Sequence, residues 1–251
     1  MSFVLVTNDD GVHSPGLAAL ADSASDLGSV VVIAPDRNRS AIGHALTLDS
    51  PLRADEIRSG VFSVDGTPTD CVNLGVHGLV DGRPRLVVSG INLGANLGDD
   101  ITYSGTVCAA MEAALMGFPS IAFSLDAREF TFDDLARSSA VVTYLINTVV
   151  SIGLPSGIFL NVNIPSGVIS GISLTFQGKR HYGEGIVKKT DPRGRSYFWI
   201  GGGENGFADL PGSDCNAIAA GHVSITPLRT GLTSESALQL LADWPLSFTM
   251  D

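Results

Sequence analysis

Short apolar runs rich in β-branched residues alternate with helical segments through the first 125 residues. Residues 3–7 form one such run, residues 17–27 have the apolar spacing of a helix, and residues 30–34 form a second run. Strand, helix and strand within about 30 residues make a βαβ unit, and strands that are apolar throughout are buried on both faces. The alternation therefore predicts an α/β protein with a doubly wound, mostly parallel sheet flanked by helices.

The same alternation continues to about residue 165. Thr67-Pro68-Thr69-Asp70 combines an N-cap residue, a proline at the first helical position and an acid at the third, which predicts a helix reaching about Val76. Apolar patterns predict further strands and helices. The strands are expected at residues 86–89, 121–124 and about 157–163, and the helices at residues 106–116 and about 133–152.

The pattern changes after about residue 165. Residues 170–201 mix β-branched residues with most of the late basic residues and run into three glycines at 201–203, which predicts an antiparallel ribbon or arm. A short helix, a strand at 222–227 and a last helix near 234–242 are expected to follow. We predict one domain over residues 1–251. Its core spans about 1–165 and 213–230, with an arm at about 168–210 and a C-terminal helix at about 231–251.

The charge balance limits the partners of the chain. It has 15 basic and 26 acidic residues and a net charge of −11, whereas nucleic-acid duplexes and membrane surfaces are bound by clustered Lys and Arg.

The three cysteines are widely spaced, which favours buried thiols in a reducing compartment. No basic segment of a signal peptide precedes the first strand, and the uncharged stretch 138–178 is interrupted by Asn and Pro. We expect a cytoplasmic protein that binds neither duplexes nor membranes.

Three polar clusters follow predicted strands. They are residues 8–11, residues 35–44 and residues 89–106. In a parallel sheet, ligands bind outside the carboxyl ends of the strands, and the three clusters share that edge. The sequence therefore predicts one functional site built from all three.

The first cluster contains two adjacent carboxylates, Asp9 and Asp10, followed by Gly11. Adjacent carboxylates at the end of a buried strand raise each other's pKa unless a cation lies between them. The pair therefore suits a divalent metal ion bound by oxygen ligands. The alternative for an isolated Asp-Asp-Gly is that one aspartate caps the next helix while the other is solvated, and on this motif alone that alternative is favoured.

The second cluster offers hydroxyl and guanidinium groups. Ser40 could complete the shell of a hard metal ion, and Arg37 or Arg39 could bind a phosphate. The same residues also make ordinary turns. Taken alone, His44 fits a hydrogen-bonded structural residue better than a ligand.

The third cluster is the most specific. Its glycines allow close approach of a ligand to the backbone, Asn92 and Asn96 supply neutral oxygens, and Ser104-Gly105-Thr106 opens a helix. The N-terminus of a helix binds anions through free N–H groups, although Ser-Gly-Thr alone fits an ordinary N-cap. The cluster has neither a P-loop nor a dinucleotide fingerprint. A metal site beside an anion site predicts a metal-dependent phosphate enzyme that uses an activated water.

Six ordered motifs between residues 3 and about 228 resemble the SurE survival-protein family of nucleotidases. They are Thr7-Asn8-Asp9-Asp10-Gly11, Ala34-Pro35-Asp36 with Arg39-Ser40-Ala41 and Gly43-His44, Gly66-Thr67-Pro68 with Asp70-Cys71, Val88-Ser89-Gly90-Ile91-Asn92, Tyr103-Ser104-Gly105-Thr106, and Val223-Ser224-Ile225-Thr226-Pro227. The resemblance implies a three-layer, Rossmann-like core with a C-terminal β-ribbon or arm. It also implies one divalent ion per subunit, Mg²⁺ or Mn²⁺, and a homodimer or homotetramer with exchanged arms.

The resemblance also implies a set of site residues. The implied metal ligands are Asp9, Asp10, Ser40 and Asn92, of which the two aspartates are also catalytic. The implied substrate-binding residues are Asn96, Ser104, Gly105 and Thr106, together with Gly43 and His44. The sequence departs from the family at Ala95, usually a proline, and at Leu93, often a polar or small residue. The first departure affects the loop and the second the nucleotide contact; neither is a metal ligand.

The activity implied is hydrolysis of nucleoside monophosphates at the 5′-phosphate, with 3′-nucleotides and polyphosphate as further candidate substrates. In the hypothesis, a water activated by the metal attacks phosphorus, Asp9 or Asp10 orients or deprotonates it, and residues 104–106 stabilise the phosphoryl charge. A phosphatase with an aspartyl nucleophile carries Asp-x-Asp, and the adjacent acids here disfavour it. The alternative from another class is a nucleotide-binding sensor or assembly protein without turnover.

Overall fold

The chain folds as alternating strands and helices, and the computed structural model describes residues 2–183, 185–201 and 206–244. The helices are α1 (Pro15–Ala24), α2 (Pro68–His77), α3 (Gly105–Leu115), α4 (Phe132–Ile152), α5 (Asp214–Ala219) and α6 (Glu235–Leu241). The strands are β1 (Ser2–Thr7), β2 (Val30–Pro35), β3 (Ala54–Arg58), β4 (Val61–Val64), β5 (Arg83–Leu93), β6 (Ser120–Asp126), β7 (Ile158–Pro165), β8 (Gly171–Leu174), β9 (Arg180–His181), β10 (Ile186–Thr190), β11 (Ser196–Ile200), β12 (Gly206–Phe207) and β13 (His222–Arg229).

A nine-stranded sheet forms the centre of the molecule, with the order β3-β4-β2-β1-β5-β6-β7-β13-β8. The pairs of β1 with β2 and β5, of β5 with β6 and of β6 with β7 are parallel. The β3–β4 and β7–β13 pairs are antiparallel. This mostly parallel order confirms the predicted fold class and places the ends of β1, β2 and β5 side by side.

Helices cover both faces of the sheet. On one face α1 packs against α4, and on the other α2 packs against α3. The largest core cluster lies on the α1 and α4 face and includes Leu20, Phe123 and Ile146, while Cys71 and Val72 of α2 belong to a second cluster with Leu5 of β1. Strands that are apolar on both sides pack against both layers, so the three-layer arrangement follows from their composition.

The start of α2 confirms the predicted helix signal. The Thr67 hydroxyl accepts from the Asp70 N–H at 3.0 Å, and the Asp70 carboxylate accepts from the Thr67 N–H at 2.9 Å. This reciprocal pair is a capping box, and Pro68 occupies the first turn where its missing N–H is not needed. The Asp70 carboxylate also accepts a hydrogen bond from the Thr47 hydroxyl, and this bond attaches the loop that contains Thr47 to the start of α2.

The 21-residue helix α4 is long and apolar enough to cross a membrane by length and composition alone. Its buried face nevertheless belongs to the core of this domain, through Val141, Val142, Leu145, Ile146 and Val149. With this face α4 packs against α1 and β6 as a helix of the outer layer.

The N-terminus of α4 depends on Asp134. Its carboxylate accepts from the Thr131 hydroxyl, from the Gly167 N–H at 3.0 Å and from Arg137 at 2.7 Å. These donors lower its pKa to about 2, with the Thr131 hydroxyl as the largest cause. The Gly167 contact also connects the end of β7 to the start of the helix.

Replacement of Asp134 by Asn is expected to lower the free energy of unfolding at pH 7 by about 1 kcal/mol. The folded pKa lies below the unfolded value, so the carboxylate stabilises the fold above about pH 4, and this stabilisation is lost as pH falls towards 2. Urea unfolding of Asp134→Asn and wild type between pH 7 and pH 2 measures the difference. The neighbouring exposed Asp133→Asn serves as the control, and an equal effect of both variants would contradict the assignment.

Several elements differ from the sequence expectations. The strands β3 and β4 were not predicted, because β3 is exposed and polar at the edge of the sheet. Strand β5 continues past residue 89 to Leu93, with a register shift between Ser89 and Asn92, so Asn92 lies on a strand end and not in a loop. Gly90 lies within this shifted stretch, and an added Cβ there would lie 2.2 Å from the Phe123 carbonyl oxygen.

The C-terminal third contains an antiparallel ribbon, formed by β10 and β11. It begins later than the expected arm, since residues 171–174 form β8 and pair with β13 at the edge of the central sheet. The ribbon exposes Ile186, Phe198, Trp199 and Ile200. The last helix is α6 (Glu235–Leu241), shorter than the expected 231–251. Residues 184 and 202–205 of the predicted arm and residues 245–251 of the predicted last helix lie outside the described residues.

Candidate active site

The three polar clusters meet at one cleft of about 250 Å³. Seven polar side chains line it, and five of them come from the predicted site. The five are Asp9, Ser40, Asn92, Asn96 and Ser104, and the other two are Asp100 and Tyr103. The main chain ties the first two clusters together, since the Arg39 N–H donates to the Asp9 carbonyl oxygen at 2.7 Å. The prediction of a shared site at the carboxyl edge of the sheet agrees with this arrangement.

Asp9 is the most deeply buried of the acids at the cleft, with 3% of its surface exposed. The Thr106 hydroxyl donates to its Oδ1 at 2.6 Å, and the Thr106 N–H donates to its Oδ2 at 3.2 Å. Burial raises the pKa of Asp9, while the contacts with Thr106 lower it in part. The carboxylate therefore lies against the N-terminus of α3, where the helix dipole stabilises negative charge.

Gly105 makes the contact between Asp9 and α3 possible. A Cβ at this position would lie 2.9 Å from Cβ of Asp9, 3.1 Å from its Oδ2 and 3.0 Å from Cγ2 of Ile42. The helix can therefore approach the carboxylate only with glycine at its first residue.

Asp10 is less buried and is held from two sides. The main-chain N–H of Leu93 donates to its Oδ2 at 3.1 Å, and the Asn38 amide lies 3.4 Å from its Oδ1. Burial, together with the smaller effect of the Asp9 charge, raises the pKa of Asp10 to about 6, and the contact with the Leu93 N–H opposes this rise. The contact with the Leu93 N–H uses only the backbone, so the unusual side chain at position 93 leaves it intact.

The remaining implied metal ligands offer neutral oxygens. The amide nitrogen of Asn92 donates to the Gly94 carbonyl oxygen at 2.6 Å, which fixes the orientation of the amide and leaves Oδ1 for a ligand. Ser40 is exposed at the cleft, and its main-chain N–H donates to the Asn38 side chain at 2.8 Å. Asn38 thereby connects the Ser40 loop with Asp10.

This set of donors fits a hard divalent cation. Asp9, Asp10, Ser40 and Asn92 provide two carboxylates, a hydroxyl and an amide oxygen, the ligand types of Mg²⁺ and Mn²⁺. Across residues 2–183, 185–201 and 206–244, no three His, Cys, Asp or Glu side chains cluster around a common point. Burial raises the pKa of both aspartates, so a cation would stabilise the charged pair.

Asn96 is held by a buried network beneath the cleft. Its N–H donates to Asn163 at 2.7 Å, and its carbonyl oxygen accepts from the amides of Asn161 and Asn163 at 2.9 and 3.1 Å. Its side-chain amide donates to the Ser124 hydroxyl at 2.7 Å. Asn161, Asn163 and Ser124 have 0% exposure. They belong to β6 and β7, so the sheet itself fixes the position of the Asn96 loop.

Replacement of Asn163 by Ala is expected to lower the free energy of unfolding by about 1–3 kcal/mol, because the buried Asn96 N–H loses its partner and the Asn96 carbonyl loses one of its two donors. Urea unfolding measures the change. Asn147→Ala is the matched control, since Asn147 is exposed on α4 and donates only to the Thr143 carbonyl oxygen within its own helix. Equal stability of both variants would show that the network does not hold the loop.

The predicted substrate-binding residues lie in three different environments. Ser104 lines the cleft and is also the N-cap of α3, its hydroxyl accepting from the Val107 N–H. Thr106 is fully buried behind Asp9 and gives its hydroxyl and N–H to that carboxylate, so a direct phosphate contact from it stays a prediction. His44 lies away from the cleft lining, with Nε2 2.7 Å from Glu112, and its neighbour Gly43 donates its N–H to the Tyr103 carbonyl oxygen.

The sequence as a whole decides the family. A family model described as "Survival protein SurE" matches residues 4–184. The chain belongs to the SurE family. The "5'-nucleotidase SurE" of Syntrophotalea carbinolica is 59% identical over 248 residues, which are 99% of each chain. The "5'-nucleotidase SurE" of Geobacter sulfurreducens is 54% identical over 97% of this chain and 94% of the relative. The crystal structure of SurE from Aquifex aeolicus has a TM-score of 0.84 and 45% identity, covering 97% of this chain and 100% of that chain.

Membership of the SurE family confirms the resemblance carried by the six motifs. No pattern in the sequence was used to predict the groups that support the implied site residues, namely Asn38, the Leu93 N–H, Ser124, Asn161 and Asn163. The sequence does contain a feature that indicates Ser124, Asn161 and Asn163. Polar residues in otherwise apolar strands are unusual. Asn161 and Asn163 are two positions apart on β7, so their side chains face the same side of the sheet.

Proposed function

We propose that this chain is a metal-dependent 5′-nucleotidase that hydrolyses nucleoside monophosphates to nucleoside and phosphate. The observation that carries the proposal is the cleft at which Asp9 meets the N-terminus of α3, while the adjacent Asp10 is held by the Leu93 N–H at the end of β5. The relatives named 5'-nucleotidase SurE, at 54–59% identity over nearly the whole chain, support the reaction and the substrate class. Together they favour turnover over nucleotide binding alone, because a phosphate binder gains nothing from two carboxylates beside its ligand.

One divalent cation, Mg²⁺ or Mn²⁺, would be held by Asp9, Asp10, Ser40 and Asn92. When bound, such a cation supplies Lewis-acid polarisation of the phosphoryl group and favours ionisation of water. The protein contributes the fixed geometry of the ligands. The Thr106 donors hold Asp9, the Leu93 N–H holds Asp10, and the Gly94 carbonyl orients Asn92.

The roles proposed for the individual polar groups follow from which of their oxygen and nitrogen atoms already have hydrogen-bond partners. Both oxygens of Asp9 accept hydrogen bonds from Thr106, whereas Oδ1 of Asp10 has only the 3.4 Å contact with Asn38. Asp10 is therefore the better placed of the two to orient the attacking water and take its proton. The Ser104 hydroxyl and the Asn96 amide, both at the cleft, are assigned to the phosphate oxygens.

The proposal extends to the assembly and location of the protein. We treat residues 1–251 as one domain whose ribbon, β10 and β11, is exchanged between the subunits of a homodimer or homotetramer. The exposed Phe198, Trp199 and Ile200 support a contact between subunits, since large exposed apolar side chains commonly mark interfaces. We place the enzyme in the cytoplasm. Light scattering tests the assembly, and a monomer at micromolar concentration would contradict it.

Phosphate release from 5′-AMP and 5′-GMP tests the proposed function. Hydrolysis is expected with Mg²⁺ or Mn²⁺ and is expected to stop when a chelator removes the cation. Parallel reactions with 3′-AMP and polyphosphate show whether the site also accepts these substrates. Tight binding of 5′-AMP without phosphate release under any cation would favour a nucleotide sensor instead. Trapping of a phosphorylated enzyme would favour an aspartyl nucleophile.

A further inference from the structure

The base of the arm is bonded to the rim of the cleft. The arm base is residues 177–182, between β8 and the ribbon, and the rim is the helical turn Gly98–Thr102. The Gln177 amide donates to the Gly98 carbonyl oxygen at 2.9 Å, and the Arg180 N–H donates to the Asp99 carboxylate at 3.0 Å. Lys179 also contacts Asp99, at 3.1 Å. Two segments about 80 positions apart in the sequence thus form one unit at the cleft.

Asp100 lies where this unit meets the cleft. Asp100 is one of the residues that line the cleft, and each of its carboxylate oxygens lies against a side chain of the arm base. The Tyr182 hydroxyl donates to Oδ1 at 2.7 Å, and Nε of Arg180 lies 3.0 Å from Oδ2. Burial and the contact with Asp100 both raise the pKa of Tyr182, which agrees with a phenol that remains a donor.

Exposed pairs of this kind add little to stability. The Tyr182 side chain is 51% exposed, and the ion pair of Arg180 with Asp100 is also partly open to solvent. Such pairs stabilise a protein by about 1 kcal/mol or less. Their effect is to fix the direction of the carboxylate. A free carboxylate at this rim would repel a phosphate dianion and compete for a divalent cation.

We propose that Tyr182 and Arg180 are positioning residues that hold the Asp100 carboxylate against the arm base and away from the substrate phosphate. This inference rests on the proposed nucleotidase function. It also connects the arm with catalysis, because the same segment continues into β10 and β11, so a displacement of the ribbon changes the charge presented to the substrate.

Steady-state kinetics of Tyr182→Phe with 5′-AMP tests the proposal. The variant keeps the ring and removes only the hydroxyl, and we expect KM to rise about three- to tenfold while kcat changes less than about twofold. Arg180→Gln is expected to raise KM in the same way. The decisive variant is Asp100→Asn combined with Tyr182→Phe. A neutral amide does not repel phosphate, so KM is expected to return towards the wild-type value.

Tyr144→Phe is the matched control, since Tyr144 is 60% exposed on α4, and its KM is expected to equal that of the wild type. An unchanged KM in Tyr182→Phe, or a double variant with KM as high as the single one, would overturn the proposal. Calorimetric binding of 5′-AMP to the same proteins gives a second readout. If the wild type binds 5′-AMP without hydrolysing it, the proposed function fails, and the order of the binding constants still decides the role of Tyr182.

Discussion

Asp9→Asn is expected to lower kcat/KM for 5′-AMP by at least about a thousandfold, equivalent to about 4 kcal/mol of transition-state stabilisation. Asp9 is the buried member of the carboxylate pair and faces the cleft. An amide has no negative charge to hold a divalent cation, so the loss falls on the reaction itself. Phosphate release at saturating Mg²⁺ and Mn²⁺ measures it.

The same variant is expected to fold as well as the wild type. Oδ1 of the new amide can accept from the Thr106 N–H, and its Nδ2 can donate to the Thr106 hydroxyl oxygen, so both contacts of Asp9 are replaced. Burial raises the pKa of Asp9, which shows that the charged form is unfavourable there without a cation. The melting temperature without added metal is therefore expected to be unchanged or higher. Asp55→Asn, at an exposed position on β3, is the control for the change in net charge. Hydrolysis by Asp9→Asn at a rate near the wild-type value would contradict the assigned site.

The sequence predicts the parts of the fold and site that depend on local pattern. Apolar runs predict the central strands, and the capping signal at Thr67 predicts the start of α2. The adjacent Asp9 and Asp10 predict a cation site, because two neighbouring carboxylates repel each other and a cation between them removes this repulsion. The rule that ligands bind at the carboxyl ends of parallel strands then brings Ser40 and Asn92 to the same place, and the cleft contains both.

The other features of the site depend on contacts between segments that are distant in the sequence, and no local pattern specifies such contacts. Thr106 has the signature of an anion-binding helix end, yet its donors are taken by Asp9, which lies 97 positions earlier. The Asn96 loop is fixed by Asn163, 67 positions later. His44 is paired with Glu112 of α3, which no spacing in the sequence indicates. The edge strand β3 was missed for another reason, since polar exposed strands lack the apolar alternation on which prediction rests.

Gly105→Ala is expected to lower kcat/KM by about a hundredfold although the substitution favours helix formation. Alanine stabilises a helix by about 1 kcal/mol relative to glycine, so helix propensity alone predicts a harmless or stabilising change. The new Cβ would lie 2.9 Å from Cβ of Asp9, which is closer than such atoms pack, and 3.0 Å from Cγ2 of Ile42, which is also a tight contact. Either Asp9 or the start of α3 must move, and displacement of a catalytic group by about 1 Å costs about two orders of magnitude in rate.

The control for this variant is Gly78→Ala at the end of α2, where an added Cβ meets no atom within 4 Å. Both variants are expected to remain folded at the assay temperature, although the overpacking in Gly105→Ala costs about 1–3 kcal/mol, and only Gly105→Ala is expected to lose phosphate release from 5′-AMP. Activity in Gly105→Ala equal to that of Gly78→Ala would mean that the approach of α3 to Asp9 does not set the catalytic geometry. Loss of activity with an intact fold would show that Gly105 is needed for the approach of α3 to Asp9 and not for the formation of the helix.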